Sequence, residues 1–339
     1  MVHVARIRWR PHLHLYRAVG QLHALLHAVR PDVFSDSVNG LLGDQLDFAD
    51  SSGAGNAYMF PLGAFAQPGS YTAIQGPVNT GTLTVQVTDD LTVSNSAGYE
   101  LCGPGEGVLC SAVNIAPGED ATIFGSDNIA NTTAQAGNVT PLASLGGVTV
   151  TVVDSAGISR IAPLFNVSPR QINLPMPPDC APGPATIVVA NGNRVALLAA
   201  SIADFAPGSY TANGNGAGVP AAQLERVHAD GSQTIESVIV RDATTGQWIA
   251  KPVALGSDTV YLVLYATGIG DSAGPLEVDC WSVAGFSQLS PAYAGPQGQF
   301  AGLDQVNVRL PASLAGSGAI YLTVSADSVF SNTITLTVQ

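Results

Sequence analysis

From about residue 65 to the C-terminus, hydrophobic and polar residues alternate with a period of two. Valine, leucine and isoleucine alternate with polar residues, mostly threonine, in segments 82–87, 148–152 and 333–338. Because successive side chains of a strand point to opposite faces, this alternation predicts strands with one buried and one solvated face. Longer apolar runs at 259–265 and 319–324 predict central strands of sheets.

Turn-forming dipeptides separate the predicted strands. Examples are Asn191-Gly192, Pro207-Gly208 and Asp230-Gly231. Short strands punctuated at intervals of about 8–12 residues are typical of two-sheet sandwiches, whereas alternating strand and helix patterns would indicate a parallel sheet. The pattern therefore predicts an all-β protein built from sandwich domains.

The first sixty residues differ from the rest of the chain. Residues 1–30 contain five arginines and five histidines but no acidic residue, and apolar residues at helical spacing predict a short amphipathic helix over 18–29. An arginine-rich, acid-free start is typical of a transit peptide, and a translation start assigned too far upstream would give the same pattern. We interpret residues 1–60 as a non-core leader that is either poorly ordered or a short helix.

The body of the chain contains an internal repeat. The segment 171–177 (QINLPMP) resembles 305–311 (QVNVRLP), and the similarity continues from 185–189 to 319–323. The two copies lie too far apart for a solenoid repeat, whose period is about 20–50 residues. A spacing of this size is typical of duplicated domains.

Several short sequence segments in the C-terminal two thirds of the chain occur in a characteristic order and spacing. The segments are Ala116–Gly125, Leu145–Val150, Val167–Asn173, Ala206–Ala212, Val263–Gly268 and Gln305–Val308. Their order and spacing over residues 110–339 resemble a family of uncharacterised proteins that is abundant in soil acidobacteria of the Solibacter type. The halves of that family are similar to IPT/TIG-type immunoglobulin-like modules. The resemblance implies an exported β-sandwich region with no established activity.

These patterns predict tandem immunoglobulin-like (IPT/TIG-like) β-sandwich domains that follow a non-core N-terminal leader. After the leader at 1–60, we expect a β-rich segment with a disulfide hairpin at 61–110 and a first immunoglobulin-like sandwich at 111–200. A connecting β-rich segment is expected at 201–250, and a second immunoglobulin-like sandwich at 251–339.

Composition and charge narrow the class of protein. Hydrophobic residues make up 46% of the chain and charged residues only 11%, which excludes a disordered chain. No run of about 18 apolar residues is present, so we expect no transmembrane segment. Residues 31–339 contain 7 basic and 25 acidic side chains, a balance that disfavours nucleic-acid partners. An acidic, lysine-poor surface is typical of exported proteins, so we expect an extracellular or cell-surface location.

Four cysteines are present, at Cys102, Cys110, Cys180 and Cys280. Cys102 and Cys110 flank a glycine-rich turn, where a disulfide could close a hairpin. A Cys180–Cys280 bond would join the two repeat copies, and the alternative is a pair of free thiols. Disulfides would require an oxidising compartment. The chain contains no Cys-x-x-Cys pair, so zinc or thiol-redox chemistry is disfavoured.

A serine hydrolase is disfavoured by the context of its only matching motif. Residues 270–274 match G-x-S-x-G, the nucleophile elbow, and follow a predicted strand. Pro275 follows where a helix is required, and no histidine after His228 is present to act as general base.

The acidic residues give only weak indications of a catalytic or metal-binding site. Paired carboxylates could serve glycoside hydrolysis, but solvated turn acids are the commoner reading. The pairs are Asp89/Asp90, Glu119/Asp120 and Glu277/Asp279. An acidic loop such as the one with Asp44, Asp47 and Asp50 could bind calcium, although its spacing departs from that of the usual calcium loop. We expect no enzymatic activity, no cofactor and no resident metal.

Two tryptophans are the remaining candidates for a binding site. Trp248 and Trp281 lie in loop-like or edge-like stretches, and a tryptophan ring can stack on the apolar face of a pyranose. Alternatively, both rings close the ends of the sandwich cores. The first hypothesis is a non-enzymatic, exported structural or interaction (adhesion-type) module with an unknown protein or glycan partner at the cell surface. The second is a carbohydrate-binding module that uses Trp248 and Trp281.

Overall fold

The computed structural model describes the backbone of six strands before residue 88, and most of the chain from residue 91 onward. The described residues are 10–18, 21–29, 43–50, 55–61, 69–75, 82–87, 91–98, 114–125, 129–137, 140–192, 194–270 and 274–339. The protein is all β, as the alternating pattern predicts, and its only helical turn in these residues is a 3-10 turn at Ala312–Leu314. No helix in the described ranges has the length and apolar character needed to cross a membrane.

The strands are numbered in chain order. Those up to residue 202 are β1 (Arg10–Ala18), β2 (Gln21–Val29), β3 (Gly43–Asp50), β4 (Gly55–Pro61), β5 (Gly69–Gln75), β6 (Thr82–Val87), β7 (Thr92–Asn95), β8 (Asn114–Ile115), β9 (Asp120–Phe124), β10 (Ala134–Gln135), β11 (Val148–Val153), β12 (Ser159–Ala162), β13 (Asn166–Ser168), β14 (Gln171–Pro175), β15 (Gly183–Asn191) and β16 (Arg194–Ile202). Those that follow are β17 (Gly208–Ser209), β18 (Ala222–Val227), β19 (Gln233–Ser237), β20 (Ile239–Arg241), β21 (Trp248–Ala250), β22 (Thr259–Thr267), β23 (Glu277–Ser282), β24 (Gly285–Leu289), β25 (Pro291–Pro296), β26 (Asp304–Leu310), β27 (Gly318–Ala326), β28 (Val329–Phe330) and β29 (Ile334–Val338).

The chain folds into two compact units. Unit 1 comprises Met1–Val93 and Ile123–Ile202, and unit 2 comprises Ser94–Thr122 and Ala203–Gln339. In unit 1 a long sheet runs in the order β12-β11-β15-β16-β6-β5-β4-β3-β1-β2. A second sheet has the order β10-β13-β14-β9-β7, and the chain passes between units within β7 and β9.

Unit 2 is built from two facing sheets and a short ribbon. One sheet has the order β19-β18-β22-β26-β25, with β17 paired to β22, and the ribbon is β20-β21. The other, which we call the outer sheet, has the order β24-β23-β27-β28, with β29 paired to β27. Leu262 and Val306 of the first sheet share one buried core with Leu322 and Leu336 of the outer sheet. This core is the two-sided apolar packing that the alternating strands predict.

The two repeat copies form equivalent strands in the two units. The first half of each copy lies in β14 or β26, and the second half lies in β15 or β27 of the other sheet of that unit. Both copies contain the same side-chain hydrogen bond two residues apart. Gln171 Nε2 donates to Asn173 Oδ1 at 2.8 Å, and Gln305 Nε2 donates to Asn307 Oδ1 at 2.9 Å.

Two expectations about the chain's organisation are wrong. The helix expected over 18–29 is replaced by strand β2, which pairs with β1 along its whole length, so cross-strand pairing overrides the local helical spacing. The segment 201–250 is not a connection between domains, because β18 pairs with β22 over six residues and buries Leu224 in the core of unit 2.

The cysteines that the structure describes are free thiols. Cys180 and Cys280 are both buried, and the bridge expected between them is not formed. Each thiol is enclosed within its own unit, and Cys280 belongs to the core cluster of unit 2. The predicted pair Cys102–Cys110 lies outside the described residues.

Candidate functional site

Three exposed aromatic residues form a line across the outer sheet of unit 2. Trp281 on β23 is the register partner of Phe286 on β24 and of Tyr321 on β27. Their exposed fractions are 40%, 56% and 48% respectively. The Trp281 and Phe286 rings are 5.3 Å apart between centroids and tilted by 44°. We call Phe286, Trp281 and Tyr321 the aromatic row.

Strand geometry explains why these rings face outward. Val278 and Cys280 of β23 point into the core and are fully buried, so Trp281 at the next position points away from it. In the same way Ile320 and Leu322 are buried on either side of Tyr321. Cross-strand partners lie about 4.5–5.5 Å apart, so the row is continuous.

A second row, of polar residues, runs beside the aromatic row. It lies two residues from the aromatic row on each strand and consists of Gln288, Asp279 and Thr323, which are again register partners. Gln288 is exposed, whereas Asp279 and Thr323 are buried. Asp279 Oδ2 accepts a hydrogen bond from Ser325 Oγ at 2.9 Å, while Asp279 Oδ1 and Thr323 Oγ1 are buried without a partner. We call these three residues the polar row.

Trp248, the other tryptophan candidate, occupies a different site on the β20-β21 ribbon. The Arg241 guanidinium lies over its ring, 5.8 Å from the centroid. Asn213 binds its backbone at both groups, accepting from Trp248 N at 3.0 Å and donating to Trp248 O at 2.8 Å. Both tryptophans are surface residues, at 38% and 40% exposure, so neither plugs a core. No ring contact joins Trp248 to Trp281 in the part of the chain that the structure describes.

A cluster of three carboxyl groups lies elsewhere in unit 2. Glu119 is only 1% exposed, and its Oε2 accepts a hydrogen bond from Ala116 N at 2.7 Å. Asp120 Oδ2 accepts from the Tyr210 hydroxyl at 2.7 Å. Asp304, at the start of β26, accepts from Ile269 N at 3.1 Å. We call Glu119, Asp120 and Asp304 the carboxyl cluster.

The surroundings of the carboxyl cluster oppose ionisation. Burial raises the pKa of Asp120 to about 6, against a lowering hydrogen bond from Tyr210. Burial likewise raises the pKa of Asp304 to about 6, and it raises the pKa of Glu119 well above its ordinary value. Glu119 Oε1 and Asp120 Oδ1 are buried without a hydrogen-bond partner. Perturbed carboxyl groups of this kind mark either a functional site or a strained structural one.

The residues predicted as possible catalytic or metal sites fall partly inside and partly outside the described part of the chain. The pair Glu119/Asp120, considered for glycoside hydrolysis, lies inside unit 2, where Glu119 is closed to a substrate. Among the described residues, no three His, Cys, Asp or Glu side chains are grouped so that they could hold a metal ion. The motif residues 271–273 and the side chains of Asp44, Asp47 and Asp50 lie outside the described part of the chain.

Comparison with known proteins adds no assignment. No protein-family model matches the chain, and no curated protein matches it. The acidobacterial family resemblance and the immunoglobulin-like identity of the sandwiches therefore remain predictions. Because a fold alone does not define a function, the function has to be argued from the sites themselves.

Proposed function

We propose that the protein is a non-enzymatic, exported interaction module of the adhesion type, and that unit 2 binds carbohydrate through the aromatic row. The observation that carries this proposal is the alignment of three exposed rings, Phe286, Trp281 and Tyr321, on adjacent strands. Single exposed aromatic residues are common on protein surfaces, but contiguous apolar patches mark binding surfaces.

The dimensions of the aromatic row suit a chain of sugar rings. Adjacent strands lie about 4.8 Å apart, so the row extends about 10 Å across the sheet, comparable with the length of a linear disaccharide. Each ring offers an apolar face on which the C–H face of a pyranose can stack. A linear glycan lying across the strands would then cover more than one ring.

The polar row supports the same ligand class. On one face of a strand, residues two positions apart are separated by about 7 Å, so Gln288 lies within reach of hydroxyl groups on a sugar stacked over the aromatic row. Its amide can both donate and accept hydrogen bonds, as a hydroxyl-rich ligand requires. We expect an uncharged glycan to be preferred, since neither row contains a cation.

Trp248 is a weaker candidate for the glycan platform. The Arg241 guanidinium covers one face of its ring and Asn213 fixes its backbone, which indicates a structural role in the ribbon. Trp248 therefore provides a matched control: the same residue type, at nearly the same exposure, on the β20-β21 ribbon and not on a strand of the aromatic row.

Binding is tested with the full chain by affinity electrophoresis in gels that contain xylan, mannan, β-glucan or soluble chitin. Any polysaccharide that slows the migration of the protein is then tested by isothermal titration calorimetry. We expect Trp281→Ala to weaken binding more than about tenfold, as is typical of a central aromatic contact. Trp248→Ala should bind like the unmodified protein, and circular dichroism should be unchanged in both variants. Failure of every polysaccharide to bind, or equal binding by Trp281→Ala, would refute the proposal.

The exported location is tested separately. N-terminal sequencing and intact-mass measurement of the native protein, taken from culture medium, surface and cell fractions, should find it outside the cytoplasm. Recovery only from the cytoplasmic fraction would contradict export without affecting the glycan-binding proposal.

A further inference from the structure

The carboxyl cluster has no cationic partner among the residues that the structure describes. The ion pairs of the described residues, formed by Arg160, Arg226 and His228, involve other acids, and no cation contributes to the pKa of Glu119, Asp120 or Asp304. The titratable groups that face one another here are these three carboxyls and the Tyr210 hydroxyl. Strand β22 contributes only the hydroxyl of Thr267, which does not titrate.

The backbone is closed tightly around the cluster. Gly302 and Gly268 both have positive φ angles, of 79° and 72°. A Cβ on Gly302 would lie 2.0 Å from Asp120 Oδ1, and a Cβ on Gly268 would lie 2.7 Å from Glu119 Oε2. The orphan oxygen of Asp120 therefore lies against main chain, and neither glycine position can accept a side chain that would supply a donor.

The cluster joins two stretches of unit 2 that are distant in sequence. Glu119 and Asp120 belong to the stretch 114–122, whereas Asp304 belongs to the sandwich. Asp120 N also donates to Thr267 Oγ1 at 2.7 Å, and Thr267 Oγ1 donates to Gly302 O at 2.5 Å. Asp120 Oδ2 also accepts from the Tyr210 hydroxyl, so one of the hydrogen bonds that attach residues 114–122 involves a carboxyl group whose charge changes with pH.

We propose that protonation of the carboxyl cluster stabilises the attachment of residues 114–122 to the sandwich of unit 2, and that a rise in pH weakens this attachment. Two carboxylates that share a low-dielectric site without a cation repel each other, so one of them retains a proton beyond its ordinary range. A proton also converts a carboxylate oxygen into a donor, which can satisfy an orphan acceptor in the cluster. This proposal is independent of glycan binding.

The direction of the effect follows from linkage. The pKa values of Asp120 and Asp304 are raised from 3.8 to about 6 in the folded protein. Between about pH 4 and pH 6 the folded state therefore binds more protons than the unfolded chain, and stability falls as pH rises through this range. The attachment is strongest in mildly acidic solution and reaches its lower level above about pH 6.

Hydrogen exchange of the full chain at pH 5.0 and 7.5 tests the proposal, with rates corrected for the intrinsic pH dependence of exchange. We expect protection of the amides of Ala116 and Asp120 to fall about tenfold or more at the higher pH, since one pKa unit corresponds to a factor of ten. Asp304→Asn should keep the higher protection at pH 7.5. Asp204→Asn, which changes an exposed acid of the same unit, should leave the pH dependence intact.

Three results would overturn the proposal. The first is equal protection of residues 114–122 at both pH values in the unmodified protein, a measurement that needs no variant to fold. The second is a pH dependence that Asp304→Asn does not alter. The third is recovery of full protection at pH 7.5 on addition of Ca²⁺ alone, which would mean that a cation rather than a proton neutralises the cluster.

Discussion

Two regions of the molecule bury carboxyl groups and treat them in opposite ways. In unit 1, the side chain of Asp154 is 0% exposed and lies in a turn between β11 and β12. It accepts hydrogen bonds from the backbone N–H groups of Ala156, Ile158 and Ala181, at 2.9–3.0 Å, and from the Arg160 guanidinium at 2.5 Å. Burial opposes ionisation of Asp154, but these donors outweigh it and lower its pKa.

The carboxyl cluster of unit 2 has the same type of group with fewer donors for each carboxyl and no cation. Glu119 Oε1 and Asp120 Oδ1 accept no hydrogen bond, and burial raises the pKa of both residues. The difference teaches that donors and a nearby cation can outweigh the cost of desolvation for one enclosed acid, whereas desolvation prevails at the more deeply buried cluster that has fewer donors and no cation. The two units are thus expected to respond to pH in opposite directions. Asp154 stabilises unit 1 at pH values above its ordinary pKa of 3.8, and this stability is lost as the pH falls through the lower pKa of the folded state. The carboxyl cluster behaves in the opposite way, because its contribution to stability is lost as the pH rises towards 6.

The largest loss of stability is expected when the fully hydrogen-bonded carboxylate of Asp154 is removed. Asp154→Ala removes the acceptor from three backbone N–H groups and leaves Arg160 without its closest partner. We expect unit 1 to lose about 3 kcal/mol of unfolding free energy at pH 7, the cost typical of disrupting a buried charged network. Urea denaturation measures the loss. Asp179→Ala, at a carboxylate that is 80% exposed, should cost less than about 0.5 kcal/mol, and similar losses for both variants would contradict the comparison.

A smaller effect is expected when the side-chain donor to Asp120 is removed from the carboxyl cluster. Tyr210→Phe deletes the hydroxyl that donates to Asp120 Oδ2, and this hydrogen bond favours the ionised form of Asp120. We expect a loss of about 1–2 kcal/mol at pH 7.5, because hydrogen bonds to charged groups are the stronger ones. At pH 5 the carboxyl is largely protonated and the loss should shrink. Thermal unfolding at both pH values measures it, and an equal or larger loss at pH 5 would argue against an ionised Asp120.

The smallest effect is expected from removal of the Arg160 charge, which tests how much this cation contributes to the low pKa of Asp154. Arg160→Gln removes the charge beside Asp154 but leaves its three backbone donors. We expect a loss of about 1 kcal/mol at pH 7 and a shift of the acid unfolding midpoint to higher pH, because the pKa of Asp154 should move back towards 3.8. Acid titration followed by circular dichroism measures the midpoint. A midpoint unchanged by the substitution would assign the low pKa to the backbone donors alone.

Period-two alternation and apolar runs were sufficient to predict five of the described strands, namely β6, β11, β22, β27 and β29. The threonine-alternating segments 148–152 and 333–338 became β11 (Val148–Val153) and β29 (Ile334–Val338), since a strand with one buried face needs only local information to be recognised. The helix expected over 18–29 failed because pairing with β1, which involves other residues, decides the conformation of that segment.

The sites depend on long-range register, which a single sequence does not contain. Trp281 was identified as a candidate, but Phe286 and Tyr321 were missed, because only the pairing of β23 with β24 and β27 brings them to one line. Alternation within β27 did carry a signal for Tyr321, an aromatic residue at an outward position between buried leucine and isoleucine. Asp304 was missed beside Glu119 and Asp120 for the same reason, since nothing local connects β26 with the turn before β9.

The buried thiols give each unit an internal reporter of its own opening. Burial raises the pKa of Cys180 to about 11 and also raises that of Cys280, so both sulfurs are protonated and poorly nucleophilic in the folded protein. An alkylating reagent can therefore reach Cys180 only when unit 1 opens, and Cys280 only when unit 2 opens. With Cys102 and Cys110 replaced by serine, labelling rates followed by peptide mass spectrometry would time the two opening events separately in a single sample.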